Sequence, residues 1–86
     1  MNKLRRKSLA EVILKLDELD ALRQEAMEML QEVLDEEQEA YDNMPESLQY
    51  SERGEQMQEC IDSMQEVLDE LDSLDPTEWT DTLGQL

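Results

Sequence analysis

The feature that most constrains the fold of this chain is an apolar stripe with a heptad period that runs from Leu9 to Tyr41. With Leu9 at heptad position a, apolar side chains recur in columns a, d and e, and column c is glutamate at every turn. This spacing is typical of an amphipathic α-helix. We therefore predict a first helix over residues 8–42 whose columns a, d and e face the core. Column d consists of Val12, Leu19, Ala26, Val33 and Ala40.

The expected ends of this helix follow from local signals. Ser8 and Glu11 have the spacing of a capping box. The basic residues before Ser8 would lie at the positive end of the helix dipole, where cations are unfavourable. We therefore predict that residues 1–7 form a loose basic arm. Pro45 disfavours helical geometry in the residue before it, so residues 43–50 are predicted to form a connection.

Two further helices are predicted after the connection. Ser51 is a suitable N-cap for a second helix over residues 51–74, which repeats the apolar stripe and the acidic outer column. Asp75 and Pro76 are the N-cap and first residue expected of a short third helix over residues 75–83. The hexapeptide QEVLDE occurs at residues 31–36 and again at residues 65–70, which indicates the same heptad pattern in both long helices.

These elements predict a single all-α domain, an antiparallel, coiled-coil-like helical hairpin with a short C-terminal third helix. The second helix is too short to cover the N-terminal part of the first, and a core of this size is small. We therefore expect a homodimer that completes a helical bundle. The residues expected to mediate self-association are Leu9, Val12, Ile13, Leu16 and Leu19.

Composition argues against most enzymatic chemistry. The chain has no histidine and one cysteine, which removes nearly all zinc, haem and Cys–His catalytic arrangements. Glu36, Glu39, Glu66 and Asp69 match the E-x-x-E and E-x-x-D spacing with which all-α nucleotide pyrophosphohydrolases bind magnesium. Similar pairs recur throughout a chain with 24 acidic residues. We therefore predict a protein that is not an enzyme and has no metal or cofactor, with a magnesium-dependent hydrolase as an alternative.

The formal net charge of −17 restricts the partners. A body of this charge repels nucleic acid and anionic membranes, so we expect neither as a direct partner. The basic residues at positions 3–7 leave membrane or nucleic-acid binding as a minor alternative. The expected partners are a protein with a basic surface and a second copy of the chain. The single cysteine and the lack of a long apolar stretch favour a cytoplasmic protein.

The acidic surface itself suggests a function. The predicted dimer would approach the charge per length of B-DNA, so the main hypothesis is an inhibitor that imitates nucleic acid and occupies a basic groove. The alternative is a structural coiled-coil module that acts by self-association. The residues proposed for partner binding are Glu32, Glu39, Glu59 and Glu66 in the outer columns, with Trp79 and Leu83 as apolar anchors.

Residues 35–69, above all the segment DEEQEAYDNMPESLQYSERGE, resemble small acidic helical proteins of phages and mobile elements of Gram-positive bacteria. No activity is established for that group. The resemblance implies a short accessory protein of a mobile element, a setting in which inhibitors of host defence are common. It implies no catalytic residues.

Overall fold

The computed structural model describes all 86 residues, and the chain is all-α, as the heptad pattern predicted. Two long helices and two short ones are present, and there is no strand. Their bounds are α1 Lys3–Asp42, α2 Glu46–Gln49, α3 Glu52–Ser73 and α4 Pro76–Gly84. The molecule is long and thin, with principal extents of 68 × 14 × 14 Å.

The basic segment at the start of the chain is helical, so the predicted loose arm over residues 1–7 is wrong. α1 begins at Lys3, and Asn2 is its N-cap, because the Asn2 Oδ1 accepts a hydrogen bond from the Arg5 amide at 2.9 Å. Ser8, the predicted cap, lies within the helix and donates its hydroxyl proton to the Leu4 carbonyl. Each exposed cation at this end of the dipole costs only about 0.3–1 kcal/mol, and the Asn2 cap offsets about one such cost.

The other helix ends lie within a residue of the predicted positions. Ser51 caps α3 by accepting a hydrogen bond from the Gly54 amide, and Asp75 caps α4 by accepting one from the Glu78 amide. The connection contains one further helical turn, α2, which the sequence did not predict. The Gln49 side-chain amide closes this connection by donating to the Tyr41 carbonyl at 3.0 Å.

Both α3 and α4 pack along α1. Ala40, near the end of α1, shares a groove with Arg53 at the start of α3. Farther along, the Arg23 guanidinium donates to the Leu71 carbonyl at 2.9 Å near the end of α3. The chain therefore returns along α1 in the opposite direction. α4 continues this return path, and so it covers part of the N-terminal stretch of α1 that the sequence left without a partner.

The side of α1 that faces α3 and α4, which we call the seam, consists of columns a and e of the predicted heptad. Residues in these columns are buried or half-buried, whereas the whole of column d is exposed. The prediction that column d faces the core is therefore wrong. Columns a and d and columns a and e both give the alternating three- and four-residue spacing that helix packing needs. Column e carries the larger side chains. The residues of this seam are Leu9, Ile13, Leu16, Asp20, Arg23, Met27, Leu30, Leu34, Glu37 and Tyr41.

The core formed by this seam is small. Only Leu34, Ile61 and Leu68 are buried apolar side chains of the two long helices. Arg23 occupies a seam position where an apolar residue would be expected. Its side chain is 15% exposed, pairs with Asp20 at 3.0 Å and donates to the Leu71 carbonyl, one of the last carbonyls of α3. A cation at this position donates a hydrogen bond to a carbonyl at the helix C-terminus, and its positive charge is favourable at the negative end of the helix dipole.

Gly54 is buried in the first turn of α3 because α2 approaches it closely. A Cβ at this position would overlap the Gln49 carbonyl oxygen and lie 2.6 Å from the Leu48 carbonyl oxygen. Both atoms belong to the backbone and cannot rotate away. Gly54 therefore allows the tight connection between the long helices, and it does so without an unusual backbone conformation.

We predict that Gly54→Ala destabilises the protein by about 1–3 kcal/mol, because the added methyl group displaces backbone atoms of the connection. The matched control is Gly84→Ala, since nothing lies within 4 Å of a Cβ at that position of α4. The control should be neutral or slightly stabilising, because alanine is the better helix former. Thermal unfolding followed by circular dichroism measures both. Equal stability of the two variants would contradict the close approach.

We predict that Arg23→Gln lowers the stability by about 1.5–3 kcal/mol, the range for hydrogen bonds to charged groups. The substitution keeps a long polar side chain but removes the charge that pairs with Asp20 and caps α3. Arg53→Gln is the control, because Arg53 is exposed and its replacement should change stability by less than about 0.5 kcal/mol. Denaturant titration of both variants measures this difference. Equal unfolding midpoints for the two variants would disprove the capping role.

Candidate functional site

One flank of the helix pair carries exposed apolar side chains on both long helices. Column d of α1 lies three residues after column a and one before column e, which places it about 80° to one side of the seam. The seam of α3 consists of its buried and half-buried apolar residues Met57, Ile61, Met64, Leu68 and Leu71, and Cys60 has the same relation to Met57 and Ile61. Column d of α1 and the column of Cys60 in α3 are displaced from their own seams by the same angle. Because the two helices run in opposite directions, both columns lie on the same side of the helix pair. A groove lined by both Ala40 and Cys60 agrees with this placement. We call this side the apolar face, and it consists of Val12, Leu19, Ala26, Val33 and Ala40 of α1 and Cys60, Val67 and Leu74 of the returning chain.

The opposite flank carries glutamine–aspartate pairs. Each glutamine follows a seam residue by one position, and its side-chain amide donates to the aspartate four residues later at 2.9–3.0 Å. Such pairs stabilise a helix by roughly 0.2–0.5 kcal/mol each. Gln38 and Gln58 are both half-buried, as expected for side chains that border the seam between the helices. We call this side the acidic face, and its pairs are Gln31–Asp35, Gln38–Asp42, Gln58–Asp62 and Gln65–Asp69.

The two faces differ sharply in charge. On the apolar side, each long helix contributes two heptad columns. Between residues 10 and 74, these four columns together contain two acids and two bases, so their formal charge is zero. The four residues are Glu36, Glu70, Lys15 and Arg53. The corresponding columns on the acidic side contain eight acids and no base. The acids are Asp17, Glu28, Asp35, Asp42, Glu55, Asp62, Asp69 and Asp72. The structure therefore separates a neutral apolar surface from a strongly negative one.

The four glutamates predicted to bind a partner are all exposed, but they do not form one patch. Glu32 and Glu39 lie about 180° from the seam of α1, and Glu59 and Glu66 lie about 180° from the seam of α3. They therefore point away from each other along the two outer edges of the pair. The aspartates of the acidic face lie between these edges, and sequence reasoning missed them. Their signal was the repeated glutamine–aspartate spacing of four residues.

The two predicted apolar anchors are also separated from the acidic face. Leu83 is half-buried and lines a groove with Leu9 and Ile13, so it packs within the molecule. Trp79 is 43% exposed. Relative to the buried Pro76 and the half-buried Leu83, Trp79 lies on the flank that continues the apolar face.

The residues predicted for self-association divide into two groups. Leu9, Ile13 and Leu16 are half-buried seam residues of α1, on the side of this helix that α4 packs against. Val12 and Leu19 are exposed on the apolar face. Cys60 is exposed on the apolar face as well.

The carboxylates do not assemble into a metal centre. Glu36, Glu39, Glu66 and Asp69 are exposed, and no group of three or more histidine, cysteine, aspartate or glutamate side chains is placed to hold a metal ion. No helix combines the length and apolarity needed to cross a bilayer.

Comparison with known proteins gives no relative from which a role could be transferred. The chain matches no protein-family model, no curated protein and no solved structure. The chemistry of the two faces is therefore the only guide to the function.

We predict that salt stabilises the protein. The eight acids of the acidic face have no basic neighbour in their columns, so folding brings like charges together, and added ions screen their repulsion. The melting temperature should rise between low salt and about 0.2 M NaCl, by about 4–8 °C for each kcal/mol of repulsion removed. The melting temperature should rise less in a variant in which four aspartates of the acidic face are replaced together by asparagine. These are Asp35, Asp42, Asp62 and Asp69. A melting temperature that falls with added salt would contradict this account.

Proposed function

We propose that the protein is a non-enzymatic binding protein whose acidic face imitates the backbone of a nucleic acid and occupies a basic groove of another protein. The observation that carries this proposal is the order of the acidic face. Four aspartates are held by glutamine amides at 2.9–3.0 Å, in two rows on neighbouring helices. Fixed rows of negative charge are what a groove that binds phosphates would recognise.

The charge per length supports this proposal. A net charge of −17 along a molecule of 68 Å is one charge per 4 Å, because 68 divided by 17 is 4. B-DNA carries one charge per about 1.7 Å of axis. Two copies side by side would carry −34 along the same length, or one charge per 2 Å. We therefore also propose that the functional form is a homodimer, in which two antiparallel helical hairpins form one bundle.

The resemblance to acidic proteins of phages and mobile elements suggests a setting for this function. We propose that the target is a nucleic-acid-binding protein of a bacterial host, such as a defence protein, and that the two meet in the cytoplasm. The single, exposed Cys60 fits a reducing compartment. A protein that acts only by self-association is the second candidate, and the neutral apolar face favours it.

Displacement by DNA tests the proposed function. The protein is immobilised, incubated with a lysate of a Gram-positive bacterium and washed at low salt, and bound proteins are eluted with a double-stranded oligonucleotide. We expect elution of basic, nucleic-acid-binding proteins, because the oligonucleotide and the acidic face compete for the same groove. Proteins that elute only with detergent, or no captured protein, would contradict mimicry.

Two variants of equal charge locate the binding surface. The first changes Asp35, Asp42, Asp62 and Asp69 on the acidic face to asparagine, and the second changes Glu32, Glu39, Glu59 and Glu66 on the edges to glutamine. Each removes four charges, and each single change should alter stability by less than about 0.5 kcal/mol.

We expect the acidic-face variant to bind the captured protein more weakly and with a flatter salt dependence, since fewer counterions are exchanged. The edge variant should lose less affinity, because its charges point away from the face. Titration by fluorescence anisotropy at several salt concentrations measures both. Equal losses would show that only total charge matters.

A further inference from the structure

We propose that the apolar face binds a second copy of this chain, and that the two copies lie antiparallel with the turn between α1 and α3 of one beside the start of α1 of the other. This inference rests on the homodimer proposed above and does not depend on nucleic-acid mimicry. It concerns a surface opposite the acidic face, and it holds whether or not the protein has another partner.

The exposed area is the first argument. The accessible surface of the chain is 6748 Å². A compact monomer of the same mass would expose about 5,300 Å² by the usual scaling of surface with mass. The excess is about 1,400 Å², which is the order of area that each subunit of an obligate homodimer buries. The long helices bury only three apolar side chains, whereas fourteen large hydrophobic side chains of the chain are exposed.

Charge is the second argument, because two molecules of −17 should repel each other. The apolar face avoids this repulsion. The columns that form it and border it have a formal charge of zero between residues 10 and 74, with Lys15 and Arg53 balancing Glu36 and Glu70. Two copies that meet through this face place their acidic faces on opposite sides of the dimer. No other long surface of the molecule could bring two copies together without pairing like charges.

The ends of the molecule determine the orientation. One end carries Lys3, Arg5, Arg6 and Lys7. The other end, residues 35–55 around the turn, contains eight acids and one base, a formal charge of −7. With the midpoint of α1 on a two-fold axis, residues 3–7 of one copy lie beside residues 38–42 of the other. A dimer with both turns at the same end would instead bring two acidic turns together.

The side chains of the apolar face suit this arrangement. Around the midpoint of α1, full antiparallel overlap brings Leu19 of one copy opposite Ala26 of the other, and Val12 opposite Val33. A large residue facing a small one allows two helices to approach closely. The exposed Leu19 and Val33 would each become buried, and Trp79 at the margin of the face would lose solvent contact.

The first experiment tests the face by sedimentation equilibrium. The parent should have twice the monomer mass of 10.1 kDa. The double variant Leu19→Gln/Val33→Gln should be monomeric at the same concentration. The control Leu4→Gln/Leu14→Gln changes two residues that are 73% and 62% exposed outside the face, and it should remain dimeric. Helix content from circular dichroism shows whether each variant is folded.

A parent that is monomeric at high micromolar concentration overturns the proposal. A folded Leu19→Gln/Val33→Gln variant that remains dimeric overturns the assignment of the face. If that variant does not fold, Val33→Gln alone provides the same comparison against Leu14→Gln alone.

The second experiment tests the orientation by the distance between two spin labels. Cys60→Ala removes the native thiol, and Asn43→Cys introduces one label site at the turn. In the antiparallel dimer, each label lies about 30 Å from the two-fold axis at 1.5 Å per residue, so the two are about 60 Å apart. With both turns at one end, helix spacings of about 10 Å would keep the labels within about 30 Å. The shorter distance would overturn the antiparallel arrangement.

Discussion

The structure depends on the choice of which two heptad columns of α1 pack against the returning chain. Columns a and e form the seam, and this choice places every other column. It buries Leu34 against a small core, and it exposes Val33 on one side and the aspartate of each glutamine–aspartate pair on the other. A seam of columns a and d would have buried the valines instead and turned the faces by about 50° around the helix axis. The separation of a neutral surface from an acidic one follows from this packing.

Helix type and helix ends could be predicted from sequence because they rest on local chemistry. Ser51 and Asp75 cap their helices with their own side chains, and Pro45 prevents α1 from continuing. The same local reasoning failed at the start of the chain, where dipole repulsion predicted a loose arm over residues 1–7. There Asn2 supplies a cap, and α4 packs against the first half of α1. That contact is between residues distant in sequence, and a local pattern cannot reveal it.

The candidate surfaces were harder to predict than the helices. The sequence indicated that Glu32 and Glu66 would be exposed, and they are, but it could not show that they lie on opposite edges of the pair. That placement depends on the seam, and columns d and e are both apolar. Arg23 illustrates the same limit. The heptad pattern does not explain why a charged residue occupies a core position. The structure explains it, because the end of α3 lies beside Arg23 and its Leu71 carbonyl accepts a hydrogen bond from the guanidinium.

The repeated hexapeptide QEVLDE has a consequence for the shape of the molecule. In both copies the glutamine and the aspartate lie on the acidic face, the first glutamate on an edge, the valine on the apolar face and the leucine in the core, and the last glutamate borders the apolar face. Two equivalent segments in antiparallel helices are related by an approximate dyad perpendicular to the acidic face. A rotation of 180° about this dyad, near Leu30 and Met64, brings the central pattern of charges onto itself. A duplex has the same property, since its two strands run in opposite directions. A groove facing the middle of this molecule would therefore meet the same arrangement of carboxylates from either end.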